Sequence, residues 1–144
     1  MRTAFVDTQL ELKSREEKAA LEEILAAINL DNLRYKKAIK IGFSVVDYLD
    51  IALDGEVDAL DEFEEILEKI APCIARDESF IVTIEDEYGE DEYMYKFTGY
   101  DVKKFTGIYC FPDNGFYPME THAIISAIKS DPNLEAEVKK ALSL

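Results

Sequence analysis

The sequence predicts an α+β fold, a single domain over residues 1–144 with a largely antiparallel sheet. Three observations predict it. Apolar residues alternate with period two near the N-terminus and again in three short runs between residues 80 and 111. Apolar residues recur at helical spacing between these regions and again near the C-terminus. The last three strand-like runs are joined by connections too short for a parallel crossover.

Along 3–12, Ala4, Val6, Thr8, Leu10 and Leu12 share one side, and Asp7, Gln9 and Glu11 the other, which is a strand with one buried face. Ser14 and Glu17 stand at capping-box spacing. Leu21, Ile24, Leu25 and Ile28 then mark an amphipathic helix over 15–29, with Asn29 or Asn32 to end it. From Ile39 to Leu53 seven of the eight odd positions are apolar, Asp47 being the exception. The β-branched and aromatic content favours a strand over 39–46. A single strand of that full length is unusual, so a break falls near Asp47 or Asp50, and a helix over 44–54 is the alternative. Asp54-Gly55 reads as a turn.

A strong helical stripe follows in Val57, Leu60, Phe63, Ile66, Leu67 and Ile70, giving a helix over 56–70 that ends near Pro72. Phe80–Ile84 is a strand, Tyr88-Gly89 a hairpin turn, and Tyr93, Tyr95 and Phe97 alternate along its partner. Thr98–Asp101 turns the chain into a third strand over 104–111, completing a meander. Pro118 opens a helix to about Lys129. Asp131 and Pro132 start a last one over 132–143, packed through Leu134, Val138, Ala141 and Leu142. A β-α-β unit followed by a helix and then the meander suits a ferredoxin-like sandwich.

Charge is distributed unevenly along the chain. Between Asp47 and Glu92 there are eighteen Asp and Glu against Lys69 and Arg76, a net of −16 (2 − 18). The rest has fourteen bases and thirteen acids, a net of +1, and the two sum to −15. Such a field attracts basic partners and repels polyanions. Direct binding to nucleic acid is therefore not expected, nor attachment to an anionic membrane. No apolar run is long enough for a transmembrane helix and the N-terminus has no signal-peptide core, so a cytoplasmic protein is expected. Cys73 and Cys110 read as two buried free thiols.

Two readings of the acidic segment as a chemical site lose on spacing and solvation. Asp50–Asp61 resembles a degenerate EF-hand loop, with Gly55 at the sharp turn, Val57 at the apolar position, and Asp54 and Asp58 at ligand positions. Ala52 stands where a ligand belongs, and Asp61 replaces the bidentate Glu. A Gly-containing turn that caps an acidic helix is favoured, and no metal or cofactor is expected. Paired-carboxylate catalysis needs burial or a partner to move a pKa, whereas these acids lie on polar faces and turn tips. His122 is the only histidine, and no nucleophile, phosphate-loop or zinc signature accompanies it. An enzyme is not expected; one that uses His122 in a pocket is the remote alternative.

The acidic surface itself is the candidate site. On the helix, Asp54, Asp58, Asp61 or Glu62, Glu65 and Glu68 recur every three or four residues, a spacing of roughly 5–6 Å. On the hairpin, Glu85, Asp86, Glu87, Glu90, Asp91 and Glu92 surround Tyr88. If the two elements lie side by side they form one anionic face, with carboxylates about as dense as DNA phosphates at roughly 3.4 Å of axis per strand. Tyr88 and Tyr100 are the aromatics expected at the surface, a residue type favoured at interfaces. The expected partner is a basic protein, most concretely a nucleic-acid-binding protein inhibited by mimicry. The alternative is that the acidity serves only solubility.

The segment Ile70-Ala71-Pro72-Cys73-Ile74, then Ser79-Phe80-Ile81-Val82, Glu85-Asp86-Glu87-Tyr88-Gly89-Glu90 and Tyr95-Lys96-Phe97-Thr98-Gly99 resembles small proteins of phages, plasmids and other mobile elements, among them YubB-like ferredoxin-fold groups. Those show a helix, a Pro, a strand, an acidic turn, an aromatic strand and a Gly turn. The Trp often found after the acidic turn is missing here, since the chain has none. The resemblance implies an accessory protein of a mobile element and carries over no catalytic residue.

Overall fold

The computed structural model describes residues 2–110 and 115–120. The chain divides into two compact units, Met1–Lys104 and Phe105–Leu144. In the first, strand β1 (Thr3–Glu11) leads to helix α1 (Glu17–Ile28), a hairpin of β2 (Ile39–Val45) and β3 (Tyr48–Glu56), helix α2 (Ala59–Ile70), and a second hairpin of β4 (Ser79–Asp86) and β5 (Gly89–Phe97). These strands lie in the order β2-β3-β1-β4-β5, every pair antiparallel. The first six elements run β-α-β-β-α-β with spatial strand order β4-β1-β3-β2, which is the ferredoxin-like arrangement. The fold is α+β. Strand β6 (Val102–Cys110) runs from the end of the first unit into the second, where it pairs with β7 (Gly115–Pro118).

Both helices pack on one side of the first unit's sheet. Leu21 of α1 and Leu60, Phe63, Ile66, Leu67 and Ile70 of α2 are buried with Ala4, Val6 and Leu10 of β1 and Leu49, Ile51 and Leu53 of β3. Phe80 of β4 is the centre of the aromatic core. Tyr95 stacks on it at 5.3 Å between ring centroids, and Phe63 meets it edge-on at 6.2 Å. The other side of the sheet carries no helix of the first unit.

The alternating run over 39–53 is two strands. Val46 and Asp47 make the turn, and Val45 pairs with Tyr48. A two-residue turn places odd residues of one strand opposite even residues of the other. The bulge between Gly42 and Val45 adds one residue and restores the match, so Ile39 faces Leu53 and Ile41 faces Ile51. Ile39 and Ile41 therefore share the buried side with Leu53 and Ile51, while Val45, beyond the bulge, pairs with Tyr48 on the other side and is 51% exposed, and the helix over 44–54 is excluded.

Several expected boundaries are corrected. Asp54-Gly55 is not a turn but part of β3, opposite Phe5 and Ala4. Gly55 answers a close approach: a Cβ there would stand 2.7 Å from Cβ of Ala38, while the Asp54 N–H donates to the Ala38 carbonyl. The EF-hand loop over 50–61 does not form, because Asp50–Glu56 is extended strand and only Val57-Asp58 turns. Helix α2 accordingly starts at Ala59, three residues later than expected. The Ser14–Glu17 capping box is absent. Glu16 occupies the cap position, Glu17 N–H bonds the Ser14 backbone carbonyl, and the Ser14 hydroxyl serves the Glu16 carboxylate. Asn29, in the left-handed region at φ 55°, ends α1 as expected.

In the second hairpin the turn residues are Glu87 and Tyr88, with Gly89 opening β5. Pro118 closes strand β7 instead of opening a helix; helical residues begin at Met119. The remainder of the helices expected over 118–129 and 132–143, together with His122, lies outside the described residues.

Candidate protein-binding face

Strand register decides where each acid points, because directly paired residues share a side of the sheet. Phe80, Val82 and Ile84 of β4 are buried under the helices, with Tyr95, Tyr93 and Asp91 as partners on that side. Their neighbours Glu85, Thr83 and Ile81 therefore point to the open side, with Glu90, Glu92 and Met94 opposite them. By the same rule β1 sends Thr3, Phe5, Asp7, Gln9 and Glu11 to the open side, and β3 sends Glu56, Asp54, Ala52, Asp50 and Tyr48. From β2, Lys40 and Gly42 join them.

The open side thus carries eight carboxylates, Asp7, Glu11, Asp50, Asp54, Glu56, Glu85, Glu90 and Glu92, against three ammonium groups, Lys40, Lys96 and Lys103, the last placed there by alternation with the helix-side Val102 and Lys104, for a local charge of −5 (3 − 8). Among the described residues none of the eight forms an ion pair with Lys or Arg, and Lys96 itself is drawn to Asp77 at 3.7 Å. The row Glu56–Thr3–Glu85–Glu90 crosses four strands, roughly 14 Å at the usual strand separation, and Asp50 to Glu56 spans roughly 20 Å along β3. Glu85 and Glu90 are directly opposed. The Glu92 carboxyl is pushed above its ordinary range, chiefly by burial and further by Glu90 and Glu85, against the lowering effect of the Thr83 hydroxyl, which donates to it at 3.2 Å.

The thirteen residues singled out from the sequence fall on different sides. Asp54, Glu85, Glu90 and Glu92 belong to the open side. Asp86 and Asp91 belong to the helix side, where Arg2 bridges them at 3.5 and 2.9 Å and removes much of their free charge. Asp86 also accepts the N–H groups of Tyr88 and Gly89, which shapes the hairpin tip. Glu87 and Tyr88 are that tip, and Tyr88 is 90% exposed. On α2, Asp58, Asp61, Glu65 and Glu68 are exposed on the helix side. Glu62 serves the fold: its carboxylate accepts the Arg34 and Tyr35 backbone N–H groups at 3.1 and 2.8 Å and ties the 30–38 connection to α2. The helix and the hairpin glutamates therefore do not make one continuous face.

Asp7, Glu11, Asp50 and Glu56 of the open side were not among the docking residues expected from the sequence, although the polar phase of the 3–12 alternation pointed to the first two. Glu64 was missed too. It accepts from the Tyr95 hydroxyl at 2.7 Å and from Lys104 at 2.8 Å, and the Lys104 ammonium lies 4.4 Å from the Tyr93 ring centroid. Burial first, then Glu64, hold the Tyr95 phenol well above its ordinary range, so it stays protonated and clamps β5 to α2. Cys73 is a buried free thiol, raised mainly by burial. Among the described residues no group of three His, Cys, Asp or Glu is placed to hold a metal, and no helix is long and apolar enough to cross a membrane.

No protein-family model matches the sequence, and no curated protein matches it. A similar solved structure is LarC2, the C-terminal domain of a cyclometallase involved in the synthesis of the NPN cofactor of lactate racemase, in its apo form. The identity is 10% and the TM-score 0.27, over 74% of this chain and 78% of that one. A likeness of that size leaves function to be argued from this chain's own residues.

Proposed function

We propose that the chain is an acidic protein-binding module, not an enzyme, that docks through its open sheet face on a basic protein in the cytoplasm. Its most concrete form is an inhibitor that occupies the nucleic-acid groove of a basic host protein, the role an accessory protein of a mobile element would fill. One observation carries the reading. On the helix side Glu64, Asp86 and Asp91 are paired with cations and Glu62 with backbone N–H groups, leaving Asp58, Asp61, Glu65 and Glu68 exposed on α2 and its cap, whereas all eight acids of the open face lack an ion pair with Lys or Arg among the described residues. A surface acidic only for solubility intersperses both signs. A single-sign face steers and orients a partner of opposite sign.

The test compares the wild type with a quadruple variant, Asp54→Lys, Glu56→Lys, Glu85→Lys and Glu90→Lys, and with a helix-side variant, Asp58→Lys and Glu65→Lys, each checked for an unchanged circular-dichroism spectrum. Immobilised protein is exposed to host lysate at about 0.05 M and 0.3 M salt, and bound proteins are eluted with duplex DNA. The expected catch is basic nucleic-acid-binding proteins, released by salt and by DNA, lost from the quadruple variant and kept by the helix-side one. Equal capture by the quadruple variant would sink the proposal.

A further inference from the structure

We infer that the open face recognises a basic polypeptide segment bearing an apolar anchor side chain, and that the anchor seats in the opening between β1 and β4 beside Phe5. The inference rests on the acidic docking reading and adds the chemistry of the occupant. β1 and β4 are paired only where Thr3–Phe5 meets Thr83–Glu85, and the chain segments meet again at the Leu12–Ile74 bridge. Between these points the strands part, leaving a recess of about 390 Å³ whose apolar wall is Phe5, Ile81 and Met94, with Val6 and Phe80 deeper, and whose polar wall is Asp7, Thr8, Ser79 and Thr83.

Phe5 explains why the recess is more than a packing fault. It points away from the core, its side is set by pairing with Asp54 and Thr83, and it is 53% exposed. A large apolar ring at the centre of a face of eight carboxylates adds nothing to solubility and buries little in the fold. A surface that imitated phosphate charge alone would have no use for it. Aromatic residues in a polar rim are the usual anchors of protein interfaces.

Charge decides among occupants. Two copies of this face would oppose −5 to −5, so a second copy is disfavoured, and nucleic acid is repelled outright. A segment rich in Lys and Arg is attracted, and one apolar side chain within it removes Phe5, Ile81 and Met94 from water. The long-range term then supplies approach and the recess supplies register.

Two synthetic peptides of about nine residues, alternating Lys and Arg, one with a central Leu and one with a central Gly, are titrated into labelled protein by fluorescence anisotropy. The Leu peptide should bind about tenfold tighter, the scale of burying much of one aliphatic side chain. Phe5→Ser should abolish that preference while leaving the Gly peptide unchanged, and Phe5→Leu should keep it. Equal, salt-sensitive binding of both peptides overturns the anchor and leaves the acidic docking reading standing. Binding of neither overturns both. Light scattering that shows a wild-type dimer, dissociated by Phe5→Ser, assigns the recess to a second copy and overturns the inference.

Discussion

Replacing Glu90 by Gln should stabilise the fold while it weakens the face proposed to dock. Glu90 lies directly across from Glu85 and two residues along β5 from Glu92, all three on the open side. At side-chain separations of roughly 5.5 Å for the opposed pair and 7 Å for the pair along the strand, two unit charges repel in water by about 0.75 and 0.6 kcal/mol. Exponential screening over a Debye length of roughly 8 Å reduces the sum to about 0.6 kcal/mol at physiological ionic strength. At about 0.01 M salt the same sum is about 1.1 kcal/mol, and at 1 M about 0.2. Glu90 is exposed, so the dielectric of water is the right one. The gain at physiological salt corresponds to roughly 2 °C in Tm for a chain of this size.

Thermal unfolding of both proteins at neutral pH and three ionic strengths checks the arithmetic, with the difference shrinking as salt rises. The pH dependence supplies a second sign. The Glu92 carboxyl is raised in the fold, so its contribution to stability is full below the ordinary carboxylate pKa and is lost as pH rises through the higher folded value. Glu90 and Glu85 contribute to that rise, behind burial, so Glu90→Gln should flatten this part of the stability curve. A Tm gain independent of salt, or a loss, would refute the placement of the three glutamates on one side of the hairpin.

Gly55→Ala should destabilise the fold by about 1–3 kcal/mol, because the new methyl meets Cβ of Ala38 at 2.7 Å, and Ala38→Gly should recover most of the loss in the double variant. Denaturant midpoints measure both, and additive losses would reject the close approach. Glu62→Gln removes the charged acceptor of two backbone N–H groups and should cost about 1 kcal/mol. Hydrogen exchange should speed up at Arg34 and Tyr35 before the rest of the unit; unchanged protection there would rule out the tie.

The fold was legible wherever pattern and burial coincide. The stripe from Leu60 to Ile70 and the alternation of Ala4, Val6 and Leu10 each report a one-sided element, and each packs as its period requires. What misled was local chemistry recruited for distant contacts. Asp54-Gly55 has turn composition, yet its glycine is needed because the connection before β2 passes close above β3. Ser14 and Glu17 have capping-box spacing, yet both backbone groups are consumed in a turn. The candidate site was legible in charge but not in direction. Adjacent acids such as Glu90 and Asp91 read as one cluster, although the pleat sends them to opposite sides, and only register reveals that Asp7 and Asp54 share a side with Glu92.

The same register explains how one field can have a direction. β2 lies at one edge of the sheet and β5 four strand steps away, roughly 19 Å. Exposed Lys36, Lys37 and Lys40 cluster at the β2 edge, while Glu85, Glu90 and Glu92 stand on the opposite hairpin. The first unit therefore has an electrical polarity across its sheet, which would draw the proposed basic partner toward the β1-β4-β5 side first. That is the side where β1 and β4 part and where Phe5 is bare. Field alone would orient a partner without fixing its position, since each carboxylate in a row is equivalent to the next. A recess with one apolar wall would by itself hold any greasy side chain weakly and from any direction. In the docking we propose, the charge sets the approach and the recess breaks the equivalence, and specificity for a basic polypeptide would follow from the arrangement of both.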